Sequence, residues 1–329
     1  MAGDKPQRLV FGEELVKLGG ADERIVVLDA DVSSSTQTRL FAEAFPHRFF
    51  SFGIAEANMV SAAAGLATVG FVPVVSSFAL FLTLRAGEQV RAQVAGPELN
   101  VKLIGGYAGL SDYADGASHQ SVEDLAVMRA LPNMVVIAPS DAVQTRRALR
   151  AAVEHHGPVF LRISREAVAE CHSPASHHFA IGKGVRLRGG HDVALIASGT
   201  MVGAALEASA RLASKGISAA VVDLHTLKPL DEELILETAR ATGAIVTIEE
   251  HSVIGGLGSA VCETVCQVHP VHVIRCGIPD RLGESGAYAE ILARAGLDVG
   301  SICQAAYRAL ELKGKPWGPP PLAIKGDSG

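Results

Sequence analysis

A chain of 329 residues is long enough for two domains of ordinary size. Hydrophobic residues make up 48% and charged residues 19%, a balance that points to two large parallel sheets or a sizeable buried subunit interface. The net charge of −6, with no basic run or stripe, argues against nucleic acid as a partner. The five cysteines, Cys171, Cys262, Cys266, Cys276 and Cys303, are odd in number and lack paired ligand spacing. Reduced thiols in a cytoplasmic protein fit them better than disulfides or a metal. The first eight residues contain no apolar h-region, so no signal peptide is expected.

Strand-like and helix-like segments alternate along the chain, which predicts parallel sheets with crossover helices. A helix over 11–18 precedes an apolar strand over 24–30 that ends in acids. A helix over 36–45 stops at Pro46. A short strand over 49–52 then feeds Phe-Gly-Ile-Ala-Glu-Ala-Asn-Met-Val, followed by a helix over 54–69, a strand over 71–76 and a helix over 78–94. No charged side chain lies between Glu56 and Arg85. The span 57–84 is long enough to cross a bilayer, but Gly70 and Pro73 break it and small residues dilute it, so a buried core is expected and no membrane partner. A strand over 100–104 leads to a loop over 105–120 whose glycines, acids and aromatics mark it as functional. A helix over 121–131, a strand over 134–138, a helix over 143–154 and a strand over 158–163 complete a first domain.

Residues 166–190 read as a linker without a sustained period, and the His177–His178 pair as incidental histidines of an exposed segment. The rhythm then resumes. Strands are expected over 193–198, 217–224, 244–249 and 271–276, and helices over 202–215, 231–242, 257–268, 287–296 and 301–312. The Pro- and Gly-rich residues 313–329 read as a loose tail. The expectation is an α/β chain of two doubly wound domains, 1–165 and 191–312, each a mostly parallel sheet with helices on both faces.

Doubly wound sheets bind ligands at the C-terminal ends of their strands. Asp29 and Asp31 with the serines after them, Glu56, Asp115 and His119, and Arg165 cluster at the C-terminal ends of strands. Singly, each has a plain alternative: an N-cap for Asp31, a satisfied loop histidine for His119, a surface ion pair for Arg165. Together they favour one site. There is no Gly-x-Gly-x-x-Gly after a strand, no Walker loop, and no Gly-Asp pair with a downstream Asn to hold a magnesium pyrophosphate; Gly326-Asp327 stands too far along the chain to serve. Gly255-Gly256-Leu257-Gly258 reads either as backbone donors at a helix start or as a tight turn.

Phe-Gly-Ile-Ala-Glu-Ala-Asn-Met-Val at 52–60 with Ala-Asp-Gly-Ala-Ser-His-Gln at 114–120 resembles the pyrimidine-binding half of the thiamine diphosphate enzymes, above all transketolase. Residues 193–198 and 245–258 resemble the transketolase C-terminal domain, and the likeness runs over about 7–312. The diphosphate-binding N-terminal domain has no counterpart in this sequence. The resemblance therefore implies the second subunit of a split transketolase, in an αβ pair that dimerises to a heterotetramer, with thiamine diphosphate as cofactor and its Mg2+ (or Ca2+) held mainly by the partner subunit. The implied reaction moves a two-carbon ketol unit from a ketose (phosphate) to an aldose (phosphate). A deoxyxylulose phosphate synthase-like or 2-oxo acid dehydrogenase-like subunit is the nearest rival, and a non-catalytic subunit of the same fold a further one.

The resemblance also implies roles. Glu56 matches the glutamate that shares a proton with N1′ of the aminopyrimidine, and its charge-free surroundings would keep that carboxyl protonated. Phe81 matches the aromatic that stacks on the pyrimidine, with Phe78 as supporting core. Asp31 falls near the thiamine part. His119 lies by the reactive face and handles protons. Asp115 matches the aspartate that contacts sugar hydroxyls, and Arg8, Ser35 and Arg165 match the groups that hold a substrate phosphate. Alternation puts Arg162 and Arg165 on opposite strand faces, so Arg165 alone is assigned to the site. Tyr107 departs from the pattern: a histidine normally stands eight residues before that aspartate. A tyrosine donates one hydrogen bond but brings no charge, which bears on whether the substrate carries a phosphate.

Overall fold

A computed structural model describes residues 5–175 and 177–315. Residues 316–329, most of the expected tail and with it Gly326-Asp327, lie outside the described residues. Two sheets organise the chain. The first half contributes β1 (Ile25–Asp29), β2 (Phe49–Ser51), β3 (Val72–Phe78), β4 (Lys102–Gly106), β5 (Val135–Ile137) and β6 (Val159–Arg162). The second half contributes β7 (Val185–Arg188), β8 (Val193–Ala197), β9 (Ala219–Asp223), β10 (Thr226–Lys228), β11 (Ala244–Ser252) and β12 (His272–Ile278). The seven-stranded sheet runs β10-β5-β6-β4-β3-β1-β2 and the five-stranded sheet β12-β11-β8-β9-β7.

All pairings are parallel except those of β10 with β5 and of β7 with β9. Strands covered by helices on both faces carry no solvent-facing side, which is why Ile25–Asp29 and Val193–Ala197 are buried at every position. One face of the larger sheet packs Phe11, Leu15, Phe41 and Leu149 from flanking helices. The other face joins Met59, Val60, Leu82 and Val90 of the first half to Ile196, Val222, Leu227 and Ile235 of the second in one continuous core. The doubly wound α/β architecture expected from the sequence is present in both halves. Among the described residues no helix is long and apolar enough to cross a membrane. The uncharged span resolves into the helix Glu56–Thr68, strand β3 and further helical turns.

The departures have physical causes. The helix expected over 36–45 is split, with Gln37 in a left-handed turn at φ 67° between Ser33–Thr36 and Arg39–Ala44. Buried Asp29 causes this by accepting from the Val32 amide at 2.7 Å, the Thr38 hydroxyl at 2.8 Å and the Thr36 hydroxyl at 3.2 Å. The helix expected over 78–94 begins later, because Phe78 still belongs to β3. Its turns at Phe81–Arg85 and Val90–Ala95 are wide, each closing on the fifth carbonyl back (Ala86 amide to Phe81, Gly96 amide to Arg91). The stretch 166–190 contains β7, and His177 in it is buried, its ring 4.0 Å from that of His172; His178 is exposed. Three residues after Asp223, β10 crosses to the first sheet, too short a segment to leave a period in the sequence.

A buried ionic seam joins the halves. Arg162 donates through Nε to Asp124 Oδ2 at 2.7 Å and through Nη2 to the Glu250 carbonyl at 2.8 Å. The Glu250 carboxylate accepts from the Leu110 amide at 2.7 Å, the Thr200 hydroxyl at 2.6 Å and the Tyr288 hydroxyl at 2.7 Å. Removing one partner of such a pair strands the other charge, which costs about 3–5 kcal/mol. Arg162→Ala should therefore lower stability to urea by about that amount. Arg162→Met combined with Asp124→Leu should recover most of the loss, and a single variant that unfolds at the wild-type midpoint would contradict this account.

Candidate active site

The sequence-derived candidates gather at the C-terminal edge of the larger sheet. Ser35 follows β1, Glu56 opens the helix after β2, Tyr107 follows β4, and Arg165 follows β6. Crossover helices leave that edge open, so polar side chains can stand there without breaking the core.

Glu56 is buried at the first turn of Glu56–Thr68. Its Oε1 accepts from the Ser77 hydroxyl at 3.2 Å and its Oε2 from Arg85 Nη1 at 2.8 Å. The isolated carboxyl expected from the sequence is thus replaced by an ion pair. Linear separation hid this, because the wide turn at Phe81–Arg85 carries Arg85 back to a residue 29 positions earlier. Phe81 faces this pair, with the Arg85 guanidinium carbon 4.2 Å from its ring centroid. Phe78 lies 5.9 Å from Phe81 at an interplanar angle of 27°. The His119 ring stands edge-on to Phe81 at 5.3 Å and to Phe78 at 5.9 Å, its Nδ1 2.9 Å from the Ser118 hydroxyl.

Tyr107 links this group to a second one. Its ring stacks on Phe78 at 4.5 Å, and its hydroxyl accepts from Arg8 Nη1 at 2.9 Å. The guanidinium carbons of Arg8 and Arg165 lie 5.6 and 5.3 Å from its centroid. Its backbone is left-handed at φ 56°, a strained state for a bulky residue that costs of order 1–3 kcal/mol and persists only where the surroundings enforce it. Arg8 also donates to the Ser35 carbonyl at 3.2 Å. Arg165 reaches Asp112 Oδ1 at 3.4 Å and lies 4.8 Å from the Tyr113 ring. Arg162 points the other way, into the seam.

Asp112, absent from the sequence-derived set, is buried behind exposed Asp115. Burial and then the Asp115 charge push the Asp112 carboxyl up to about 6, against the pull of His119 and Arg165. Asp31 stands exposed in a left-handed turn at φ 65°, outside this hydrogen-bonded set among the described residues. The donors at Leu257 and Gly258 are taken by the chain's own Glu249 at 2.6 and 2.7 Å, so the glycine-rich turn offers no free cradle. Phe50, Ile54 and Leu84, which flank Glu56 and Arg85 in sequence, are 41%, 76% and 53% exposed, and grooves of about 350 and 520 Å3 lie elsewhere, at Arg129–Lys228 and at His177–Arg186.

Residues 5–170 match the model of the transketolase pyrimidine-binding domain, and residues 182–302 that of the transketolase C-terminal domain. The chain belongs to the transketolase family. It is 47% identical to a Methanocaldococcus jannaschii protein named as a transketolase C-terminal section, over 91% of this chain and 95% of that one. It is 41% identical to a 6-deoxy-6-sulfo-D-fructose transketolase subunit of Clostridium sp. (strain MSTE9), over 93% of this chain and 95% of that one. A solved split-gene transketolase, described as an inactive beta4 tetramer, matches with a TM-score of 0.87 and 48% identity over 94% of this chain and 100% of that one.

Transketolases depend on thiamine diphosphate, and the residues at this edge fit its aminopyrimidine. That ring needs a carboxyl for a ring nitrogen and a flat apolar face. Glu56 and Phe81 present both, and a planar cation already bridges them in this transketolase chain. Sequence reasoning missed Arg85 and Asp112. Arg85 had one signal, its place as the charge that ends a long uncharged run four residues after Phe81.

The raised Asp112 carboxyl has a consequence for stability. Its ordinary value is 3.8, and between that and about 6 the folded chain keeps a proton that the unfolded chain has lost. Wild-type stability is therefore lost as pH rises through this window, and a side chain that cannot ionise escapes the loss. The thermal midpoint of Asp112→Asn relative to wild type should rise from pH 4 to pH 7. A difference that stays constant over that range would exclude the effect.

Proposed function

We propose that this chain is the pyrimidine-side subunit of a split transketolase, active with a partner subunit that holds the diphosphate and its divalent metal. Two αβ pairs would form the working heterotetramer, in the cytoplasm, where its cysteines stay reduced. The observation that carries the reading is Glu56, buried at a helix start beside the Phe81 face, on an edge bordered by exposed Phe50, Ile54 and Leu84. A half-built site with an apolar rim is what an interface cofactor requires. Without the partner, the same rim would pair copies of this chain, in keeping with the beta4 tetramer of the solved relative.

Thiamine diphosphate, when bound, supplies the electron sink for breaking and making a carbon–carbon bond next to a carbonyl. The chain's own residues do the rest. Glu56 holds a proton at the pyrimidine nitrogen and Phe81 sets the ring's plane, while Asp31 stands at the outer, thiamine side. His119, edge-on to Phe81, moves protons on the substrate. Asp115 binds sugar hydroxyls, with buried Asp112 behind it. Arg8, Ser35 and Arg165 take the terminal anion of the sugar, and Tyr107, between the guanidiniums, adds a hydroxyl. Phosphate and sulfonate are both oxyanions that such donors accept, and one relative is named for a sulfo-sugar. Two arginines argue against an unphosphorylated 2-oxo acid.

Glu56→Gln should lower turnover of the reconstituted complex by about 10²–10⁴-fold while leaving assembly intact by sedimentation; near-normal turnover would remove Glu56 from its role. The chain by itself should give no magnesium-dependent heat with thiamine diphosphate in calorimetry, and tight binding there would contradict the need for a partner. Tyr107→His should shift relative rates between phosphorylated and free sugars, and an unchanged ratio would take acceptor choice away from Tyr107.

A further inference from the structure

The wide turn at Phe81–Arg85 delivers its last residue to the first one's ring. Arg85 Nη1 lies 2.8 Å from Glu56 Oε2, and its guanidinium carbon 4.2 Å from the Phe81 centroid. One planar, delocalised cation thus covers both surfaces assigned above to the aminopyrimidine: the carboxylate and the aromatic face. A flat heterocycle that takes the carboxyl's proton at its ring nitrogen and lays its plane on the aromatic face uses the same two surfaces. The two groups cannot occupy that space together.

The pair is asymmetric. The Glu56 side chain is 2% exposed and the Arg85 side chain 44% exposed. The carboxylate is fixed by the helix that bears it and by Ser77. The guanidinium reaches it from solvent on a flexible stem, so it can leave without disturbing the core. A buried carboxylate with no cationic partner is costly, and Arg85 removes that cost while no ligand is present.

We propose that Arg85 is a resident placeholder for the aminopyrimidine: it caps Glu56 and covers Phe81 in the unloaded chain, and the cofactor binds by displacing it. The proposal rests on the reading of Glu56 and Phe81 as the pyrimidine site. Its consequence is quantitative. Apparent affinity falls by the fraction of time the site is open, so a contact closed about nine-tenths of the time weakens binding about tenfold. The Arg85–Glu56 pair thereby sets how much thiamine diphosphate is needed to load the enzyme, and it guards the carboxylate before the partner closes over it.

The test measures thiamine diphosphate binding, with Mg2+, by calorimetry on complexes assembled with the diphosphate-binding partner. Four forms of this chain are compared: wild type, Arg85→Gln, Glu56→Gln and the double variant. The expected result is a dissociation constant lowered about tenfold by Arg85→Gln in the wild-type background and by less than about twofold in the Glu56→Gln background, where the guanidinium has lost its anchor. Arg85→Lys, which keeps the charge but not the flat fork, should fall between wild type and Arg85→Gln. If wild type binds and Arg85→Gln binds equally or more weakly, the placeholder role is overturned while the site stands. If no form binds, the pyrimidine-site reading is overturned and this proposal with it.

Discussion

One buried carboxylate, that of Glu250, ties the loop of the candidate site to the second sheet. It stands in β11 of the second sheet, yet it accepts the Leu110 amide of the first-half loop at 2.7 Å, and its carbonyl receives Arg162 at 2.8 Å. Thr200 and Tyr288 occupy its other oxygen. A buried acid in this state is expensive unless each lone pair is used, so it accepts only one arrangement of the segments around it. The loop that bears Asp112, Asp115 and His119 is therefore registered against the second domain. Two further bonds repeat the tie: Gln120 donates to the Glu284 carbonyl at 3.0 Å, and the Gly286 amide to the Tyr113 carbonyl at 3.0 Å. The second domain supplies none of the candidate site residues, but it positions those that the first supplies.

Within the site, aromatic stacking rather than hydrogen bonding connects the parts. Phe81, Phe78 and Tyr107 form a row, with His119 edge-on at one end and two guanidiniums at the other. Offset and edge-to-face contacts of this kind hold orientation without needing charge. They let a position that faces an apolar ring and one that faces an anion sit a few ångströms apart without mutual neutralisation. Tyr107 is where the two environments meet, and its left-handed backbone shows how firmly the neighbours hold it.

Much of this was legible in the residues. Alternation of apolar runs and amphipathic segments revealed both sheets, because parallel strands buried on both faces leave long uninterrupted apolar stretches. The strand-end rule groups Glu56, Arg165 and the 105–120 loop, since topology alone forces those positions to one edge. What escaped depended on distance in space. Arg85 meets Glu56 only because a turn is wider than an α-helical one, a feature with no sequence period. Asp112 is separated from Asp115 by burial, which a loop sequence does not disclose. His177 looked incidental because its burial depends on a chain of contacts: its ring packs 4.0 Å from that of His172, which in turn reaches Asp223, on a distant segment, at 2.8 Å. β10 was invisible because three residues are too few to alternate.

That short strand has a consequence for how such a chain can be divided. β10 belongs by sequence to the second half and by hydrogen bonding to the first sheet, where it covers β5 with Thr226 opposite Ile137 and Lys228 opposite Val136. A chain cut anywhere in 166–190 would leave β5 as a bare edge with apolar neighbours, a template for aggregation. The two domains are therefore a single heritable module. Gene fission or recombination can act outside the pair, but a break between them strips β10 from the larger sheet, even where the second fragment keeps every strand of the smaller one.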